Sequence, residues 1–217
     1  IINNLTEWKM LSQKLIYKGM PISIRFLHNR ISLEDNCFKL VNKAKWHHIN
    51  IIPDIKEIFK NFHDSSKRAI RKAQREEISI RISKNEDDLR KFYEMHLNIR
   101  KNKYRMLAQP YIFFKNIWSN FIINNQGALM LAEYQKEIIA GVLFLNWKNG
   151  LYYKFNASAI TDLNLRPNDL LMWEGIKHAK KQGLDFLCLG LSDWDQEGLI
   201  RYKRKYATEE NTIHFLK

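Results

Sequence analysis

The chain has 217 residues, enough for one large domain or for a full domain plus part of another. Its hydrophobic share of 45% and aromatic share of 12% can fill a substantial core, and no run approaches the ~20 apolar residues that a membrane span needs. The net charge of +13 points to a polyanionic partner, whether RNA, a nucleotide-linked substrate or an anionic membrane surface. A solvated basic surface is the plainer alternative.

The first residue is Ile1 rather than Met, so the chain reads as a fragment or processed product, and any targeting signal upstream would lie out of view. The two cysteines, Cys37 and Cys188, form no CxxC pair. That argues against zinc and fits a reducing cytoplasm.

In chain order, Leu5, Trp8, Leu11, Leu15 and Ile16 share one face of a predicted helix over 5–17, with Gly19 as its stop. Residues 22–27 alternate as a strand, 28–46 read as irregular and charged, and 47–52 read as a second strand closed by Pro53. A short helix is expected over 53–62. A basic helix follows over 65–77, where Lys67, Arg68, Arg71, Lys72 and Arg75 surround a thin stripe of Ile70 and Ala73.

Residues 78–83 alternate as a strand, and 85–103 form a long helix with Asn85 as its cap. Another helix spans roughly 110–123. Three strands then follow, 128–135, 137–147 and 150–158, joined by turns at Gln135–Lys136 and Lys148–Gly150. A helix over 166–183 with Gly183 past its end, a buried strand over 184–192, a helix over 198–207 and a last strand over 212–217 complete the order. The fold class is α/β (α+β), with a mixed, mainly antiparallel sheet flanked by helices.

In the helix at 198–207, Leu199, Ile200, Tyr202, Tyr206 and Ala207 make an apolar arc, and Lys203 falls inside it. A lysine on an inward face either buries its stem and keeps its amine wet, or presents a cation to something bound. Asp193, Asp195 and Glu197 precede this helix. A carboxylate there can accept a proton, with Asp193 the candidate, or can cap the helix, with Ser192 and Asp195 the obvious caps. His47 and His48 alternate faces of a strand and make no metal site, while His96 and His178 read as structural.

Three stretches carry a resemblance to a known family: "SSKRAIRKAQREEISI", "LRPNDLLMWEGIKHAKKQGLDFLCLG" and "EGLIRYKRKYATEE". Together with the element order they resemble the Fem-type (FemAB-like) branch of the GNAT acetyltransferase superfamily, over roughly 54–217. The family's "G-L-x-x-F-K-x-x-F-G" signature reads here as Gly198, Leu199, Tyr202, Lys203 and Tyr206, with Ala207 in place of the final glycine. Fem proteins carry two GNAT-like domains, so the resemblance implies that 1–53 is the C-terminal remnant of a first domain and 54–217 a complete second one, with its basic helix at 65–77.

The resemblance implies an acyltransferase that moves an aminoacyl group from aminoacyl-tRNA to an amine of a peptidoglycan precursor. It implies no cofactor, because the ester donor is already activated, and a cytoplasmic location at or near the inner membrane face. Lys203 is then the catalytic cation, and Arg100, Tyr104, Tyr153, Tyr202 and Tyr206 are candidate substrate contacts. Lys67, Arg68, Arg71, Lys72 and Arg75 are the candidate tRNA contacts. Two alternatives stay open: a CoA-dependent N-acyltransferase, and a basic module that only binds RNA or an anionic polymer. Against CoA stands Arg166-Pro167-Asn168-Asp169, where a Gly-rich pyrophosphate loop would be expected and a carboxylate stands instead.

Overall fold

A computed structural model of the protein describes residues 4–17, 22–26 and 30–217. The expected helix stop at Gly19 lies outside the described residues. The described chain holds α1 (Leu5–Tyr17), β1 (Ile24–Phe26), β2 (Leu40–Asn50), α2 (Ile55–Asn61), α3 (Asp64–Arg75), β3 (Ser79–Ile82), α4 (Glu86–Asn98) and α5 (Tyr111–Ile117). It continues with β4 (Gly127–Tyr134), β5 (Glu137–Trp147), β6 (Gly150–Ser158), α6 (Pro167–Lys181), β7 (Phe186–Asp193), α7 (Glu197–Arg204) and β8 (Glu209–Leu216).

The chain divides into two compact units. The larger holds residues 48–190 and 205–208, and the smaller holds 1–47, 191–204 and 209–217. In the larger unit the strand order is β7-β6-β5-β4-β3, parallel at β6–β7 and antiparallel elsewhere. The parallel pair follows from the crossover through α6, since antiparallel neighbours need only a hairpin. Gln135 and Lys136 both adopt positive φ in the β4–β5 turn, as a two-residue hairpin of the right twist requires.

The core of this unit lies between α4, α5 and one face of the sheet. Leu89, Phe92, Phe114 and Trp118 pack there on Leu129, Leu131, Leu143 and Ala157. On the α6 helix a Cβ at Gly175 would stand 2.5 Å from Cζ of Phe144, a fully buried ring, so the residue lets helix and strand approach closely. In the smaller unit β1 pairs antiparallel with β8, and β2 is the other neighbour of β8. Trp8, Phe38 and Leu216 form its small core, and the Trp8 indole N–H and the Ser12 hydroxyl both donate to the buried Asp35 carboxylate.

Two sequence expectations need correction. The stretch read as irregular contains the first half of β2, which begins at Leu40. Residues 40–43 are all exposed, so this half of the strand has no apolar alternation to betray it. The last helix also stops earlier than expected, at Arg204. The Lys205 carbonyl accepts from the His63 N–H and the Thr208 N–H donates to the His48 carbonyl, so this backbone pairs elsewhere. Tyr206 and Ala207 therefore lie beyond the helical arc on which the sequence pattern places them.

Candidate active site

In the smaller unit α7 turns Ile200 and Lys203 inward, one helical turn apart, and leaves Arg201 and Arg204 exposed. Lys203 is only 6% exposed, and its Nζ donates to the Leu191 carbonyl at 2.7 Å. A buried ammonium loses hydration, which hydrogen bonds such as the one to Leu191 must replace. The turn into α7 is knit by Gln196, whose N–H donates to the Asp193 carbonyl and whose side-chain carbonyl accepts from the Asp193 N–H. The Gln196 carbonyl also accepts from the N–H of Ile200, so the helix opens on Gln196 rather than on a Ser192 or Asp195 cap. Asp193 stands exposed at the end of β7, and Tyr202 is half-buried on α7.

Glu210 on β8 gathers the surrounding charge. Its carboxylate accepts from the Arg204 guanidinium, from Lys45 Nζ at 2.9 Å and from His47 Nε2 at 2.9 Å. The Arg204 contact holds the Glu210 carboxyl well below the usual carboxylate range, with Lys45 and His47 adding to it. His47 is fully buried, and burial lowers its pKa against the opposing pull of Glu210; the charges of Lys203 and Arg204 lower it further. A neutral imidazole must donate through Nε2 to the ionised Glu210, which leaves Nδ1 as an acceptor. Among the described residues Nδ1 finds no hydrogen-bond partner, and neither does the buried Ser192 hydroxyl. This environment disfavours adding an imidazolium charge to those of Lys203 and Arg204.

The larger unit builds a cavity of about 320 Å³ lined by Ser65, Arg68, Ala69, Lys72, Arg166, Asp169 and Lys205. Arg68 and Lys72 lie one turn apart on α3, whose Ile70 and Ala73 are completely buried on the opposite side. Arg166 adopts a left-handed conformation, φ 67°, immediately before α6, and Pro167 begins the helix. Asn168 fastens this first turn to the sheet: it accepts from the Asn156 amide at 2.8 Å and donates to the Ser158 hydroxyl at 3.3 Å.

Asp169 is buried in the cavity wall, and Tyr206 Oη donates to its Oδ1. Burial pushes the Asp169 carboxyl up, while the Tyr206 hydrogen bond, Lys205 and Arg166 pull the other way. Tyr153 stacks edge-on against Phe144, and burial together with the nearby Asp169 charge raises its hydroxyl well above the ordinary tyrosine value.

The structure thus distributes the sequence candidates unevenly. Lys203, Asp193 and Tyr202 belong to the smaller unit; Tyr153, Tyr206 and the basic helix belong to the larger. Of the five basic residues on α3, only Arg68 and Lys72 line the cavity. Lys67 pairs with Asp64 and donates to the Lys60 carbonyl, and Arg71 lies over the Phe59 ring. Arg100 folds back to donate twice to the Leu107 carbonyl, which fixes the loop after α4, and Tyr104 stands exposed beside it. Sequence reasoning missed Lys205 as a cavity residue, because a continuous helix over 198–207 gave no reason to group it with Arg68. His47 and Glu210 were also missed, since their pairing spans 163 residues.

The sequence pattern of the acetyltransferase (GNAT) domain matches residues 60–204, two thirds of the chain. No curated protein sequence matches it. Among solved structures, FemX shares 15% identity, covering 97% of this chain and 77% of its own, with a TM-score of 0.74. L-PGS from Bacillus licheniformis shares 10%, with coverages of 98% and 72% and a TM-score of 0.65. The C-terminal domain of a putative lysylphosphatidylglycerol synthetase from Agrobacterium fabrum shares 9%, with coverages of 96% and 71% and a TM-score of 0.63. At these identities the likeness is one of fold, and it agrees with the Fem-type resemblance in the sequence. Sheet, crossover helix and matched residues together establish that the chain belongs to the acetyltransferase (GNAT) domain family.

Proposed function

We propose that this acyltransferase moves an aminoacyl group from aminoacyl-tRNA to an amine on a cell-wall peptide precursor, with Lys203 as its catalytic cation. The observation that carries the reading is a buried ammonium, tied to a main-chain carbonyl, on the helix with the Fem-type signature. In the reaction the acceptor nitrogen attacks the ester carbonyl carbon, the carbonyl oxygen gains negative charge, and the ribose oxygen then leaves with the electron pair as the amide forms. A preorganised cation at that oxygen is worth more in a water-poor site than in water.

An acceptor amine with a pKa of ~10.4 must also lose two protons, and the reading assigns the first to Asp193 or to the substrate itself and the second to the departing ribose oxygen. The tRNA ester needs a cationic surface for its phosphates. Arg68, Lys72, Arg166 and Lys205 supply one, and Tyr104, Tyr153, Tyr202 and Tyr206 are the proposed substrate contacts. Arg100 stays a proposed substrate contact, since its two bonds to the Leu107 carbonyl anchor the loop after α4 and leave other guanidinium N–H groups to donate.

The CoA-dependent alternative is weighed by the same chemistry. The first turn of α6 holds Asp169 where a pyrophosphate would need bare backbone N–H groups. The deciding assay offers the purified chain two labelled donors, charged tRNA and acetyl-CoA, with a nucleotide- or lipid-linked pentapeptide as acceptor. Label should pass from tRNA to the peptide and should not do so in Lys203→Ala. Label passing from acetyl-CoA alone overturns the proposal in favour of the CoA reading.

A further inference from the structure

Asp169 is the discordant member of the cationic cavity. Arg68, Lys72, Arg166 and Lys205 call for a phosphate, yet the same wall contains a buried carboxylate. The close ion pairs among the described residues include none of these four cations; Lys205 and Arg166 act on Asp169, and Arg68 on Asp64, only at longer range. Asp169 is the third residue of α6, close to the positive end of a 15-residue helix. The place that a bound phosphate would take there already holds the chain's own anion. Tyr206 keeps that anion in position by donating to one carboxylate oxygen.

An ionised carboxylate only accepts hydrogen bonds and has about four lone-pair sites, of which Tyr206 and the backbone N–H of Asp169 itself take two. A ligand that satisfies this wall therefore brings negative charge for the side chains and a hydroxyl for Asp169. A pyrophosphate esterified at both ends, as in a nucleotide-linked donor, brings two charges and no such donor of its own. A ribose phosphate brings one charge per phosphodiester and a 2′-hydroxyl beside it.

We infer that this cavity holds one phosphodiester of an RNA strand while the adjoining ribose 2′-hydroxyl donates to Asp169, and that Asp169 is the residue that turns away pyrophosphate-bearing donors. The inference rests on the tRNA-donor reading and names the group that would enforce it. Binding is set by side-chain cations, so it is salt-dependent; the choice between RNA and other polyanions is set by one acceptor.

The test is equilibrium binding of the whole chain at fixed low salt. It uses a fluorescent single-stranded RNA 3′ end, the DNA of the same sequence, and dimethyl pyrophosphate, a doubly esterified pyrophosphate without a hydroxyl, as competitor. The wild type should prefer RNA to DNA by roughly tenfold, the scale of one charge-assisted hydrogen bond. Asp169→Ala, which removes the acceptor, should bring that ratio close to one. Asp169→Asn, which keeps an acceptor and removes the charge, should let dimethyl pyrophosphate compete at about tenfold lower concentration. It also serves as the informative variant should Asp169→Ala fail to fold.

Equal affinity for RNA and DNA in the wild type, or dimethyl pyrophosphate competing as effectively in the wild type as in Asp169→Asn, overturns the inference. No aminoacyl ester or acceptor is present, so the two readings fail separately. RNA binding that weakens in Arg68→Ala/Lys72→Ala but never distinguishes ribose from deoxyribose sinks only the role of Asp169. A clear ribose preference with no transfer from charged tRNA sinks only the proposed reaction.

Discussion

The two units treat charge in opposite ways. In the smaller, a cation is buried: Lys203 is bonded to the Leu191 carbonyl, and the neighbouring charges of Arg204 and Lys45 are gathered on Glu210. In the larger, an anion is buried: Asp169 is held by Tyr206 in a wall that presents four cations to an open cavity. A single desolvated cation can stabilise one developing negative charge at one position, which suits a transition state. Several solvated cations can hold an extended anion loosely, which suits a donor that must arrive and leave. The contrast predicts that chemistry and affinity should respond to different mutations.

The largest expected effect is on chemistry. Lys203→Ala should reduce transfer by about 10²–10³-fold, the usual scale for losing one oxyanion partner, while leaving RNA affinity unchanged. Lys203→Met separates catalysis from folding. It removes the desolvation cost of the buried ammonium but leaves the Leu191 carbonyl without its donor, so the thermal midpoint should move by only a few degrees as transfer is lost. A midpoint that falls by many degrees would mean that the lysine is chiefly structural and would erase the contrast.

A smaller effect belongs to the cavity. Arg68→Ala/Lys72→Ala should weaken RNA binding and lower the slope of log affinity against log salt by up to about one, the scale of one phosphate contact. The maximal transfer rate at saturating donor should survive. An unchanged salt slope would place the RNA surface elsewhere.

The smallest effects are pH-dependent. The Glu210 carboxyl is depressed in the fold below its ordinary value of 4.5, so its contribution is complete above that pH and is lost as pH falls through the folded value. Glu210→Gln should therefore lower stability at neutral pH and flatten the acid limb of the melting curve. His47 is depressed below 6.5, so the fold loses stability as pH falls from about that value, because the unfolded chain takes up the proton first. His47→Gln should remove part of that loss between neutral pH and mild acid. His96 and His178 are lowered in the same way and retain their share. An acid limb identical to wild type in both variants would show that the polar centre of the smaller unit does not couple to stability.

Legibility in the sequence followed the physical origin of each signal. The three-strand run of β4, β5 and β6 was readable because its turns carry local punctuation and its inward faces are apolar. The inward direction of Lys203 was readable from its place inside the apolar arc, one turn from Leu199, although Leu199 itself is exposed and Ile200 is the buried neighbour. The first half of β2 was not, because exposed Lys43 and neighbouring polar residues give an edge-like pattern even where the backbone is paired. Tyr206 was misplaced on α7 because helical periodicity alone does not reveal that its neighbours' backbone groups bond to His63 and His48.

By itself, the sequence determined the order of helices and strands, the family signature around Lys203 and the positive balance of the whole chain. These are local or additive properties, set by side-chain pattern and charge count. Only the tertiary structure decided which two of the five basic residues on α3 meet Arg166 and Lys205, that Asp169 is buried among them, and that His47 and Glu210 form one polar centre. Those meetings join residues far apart in the chain, and their energetics depend on burial, which no linear pattern specifies.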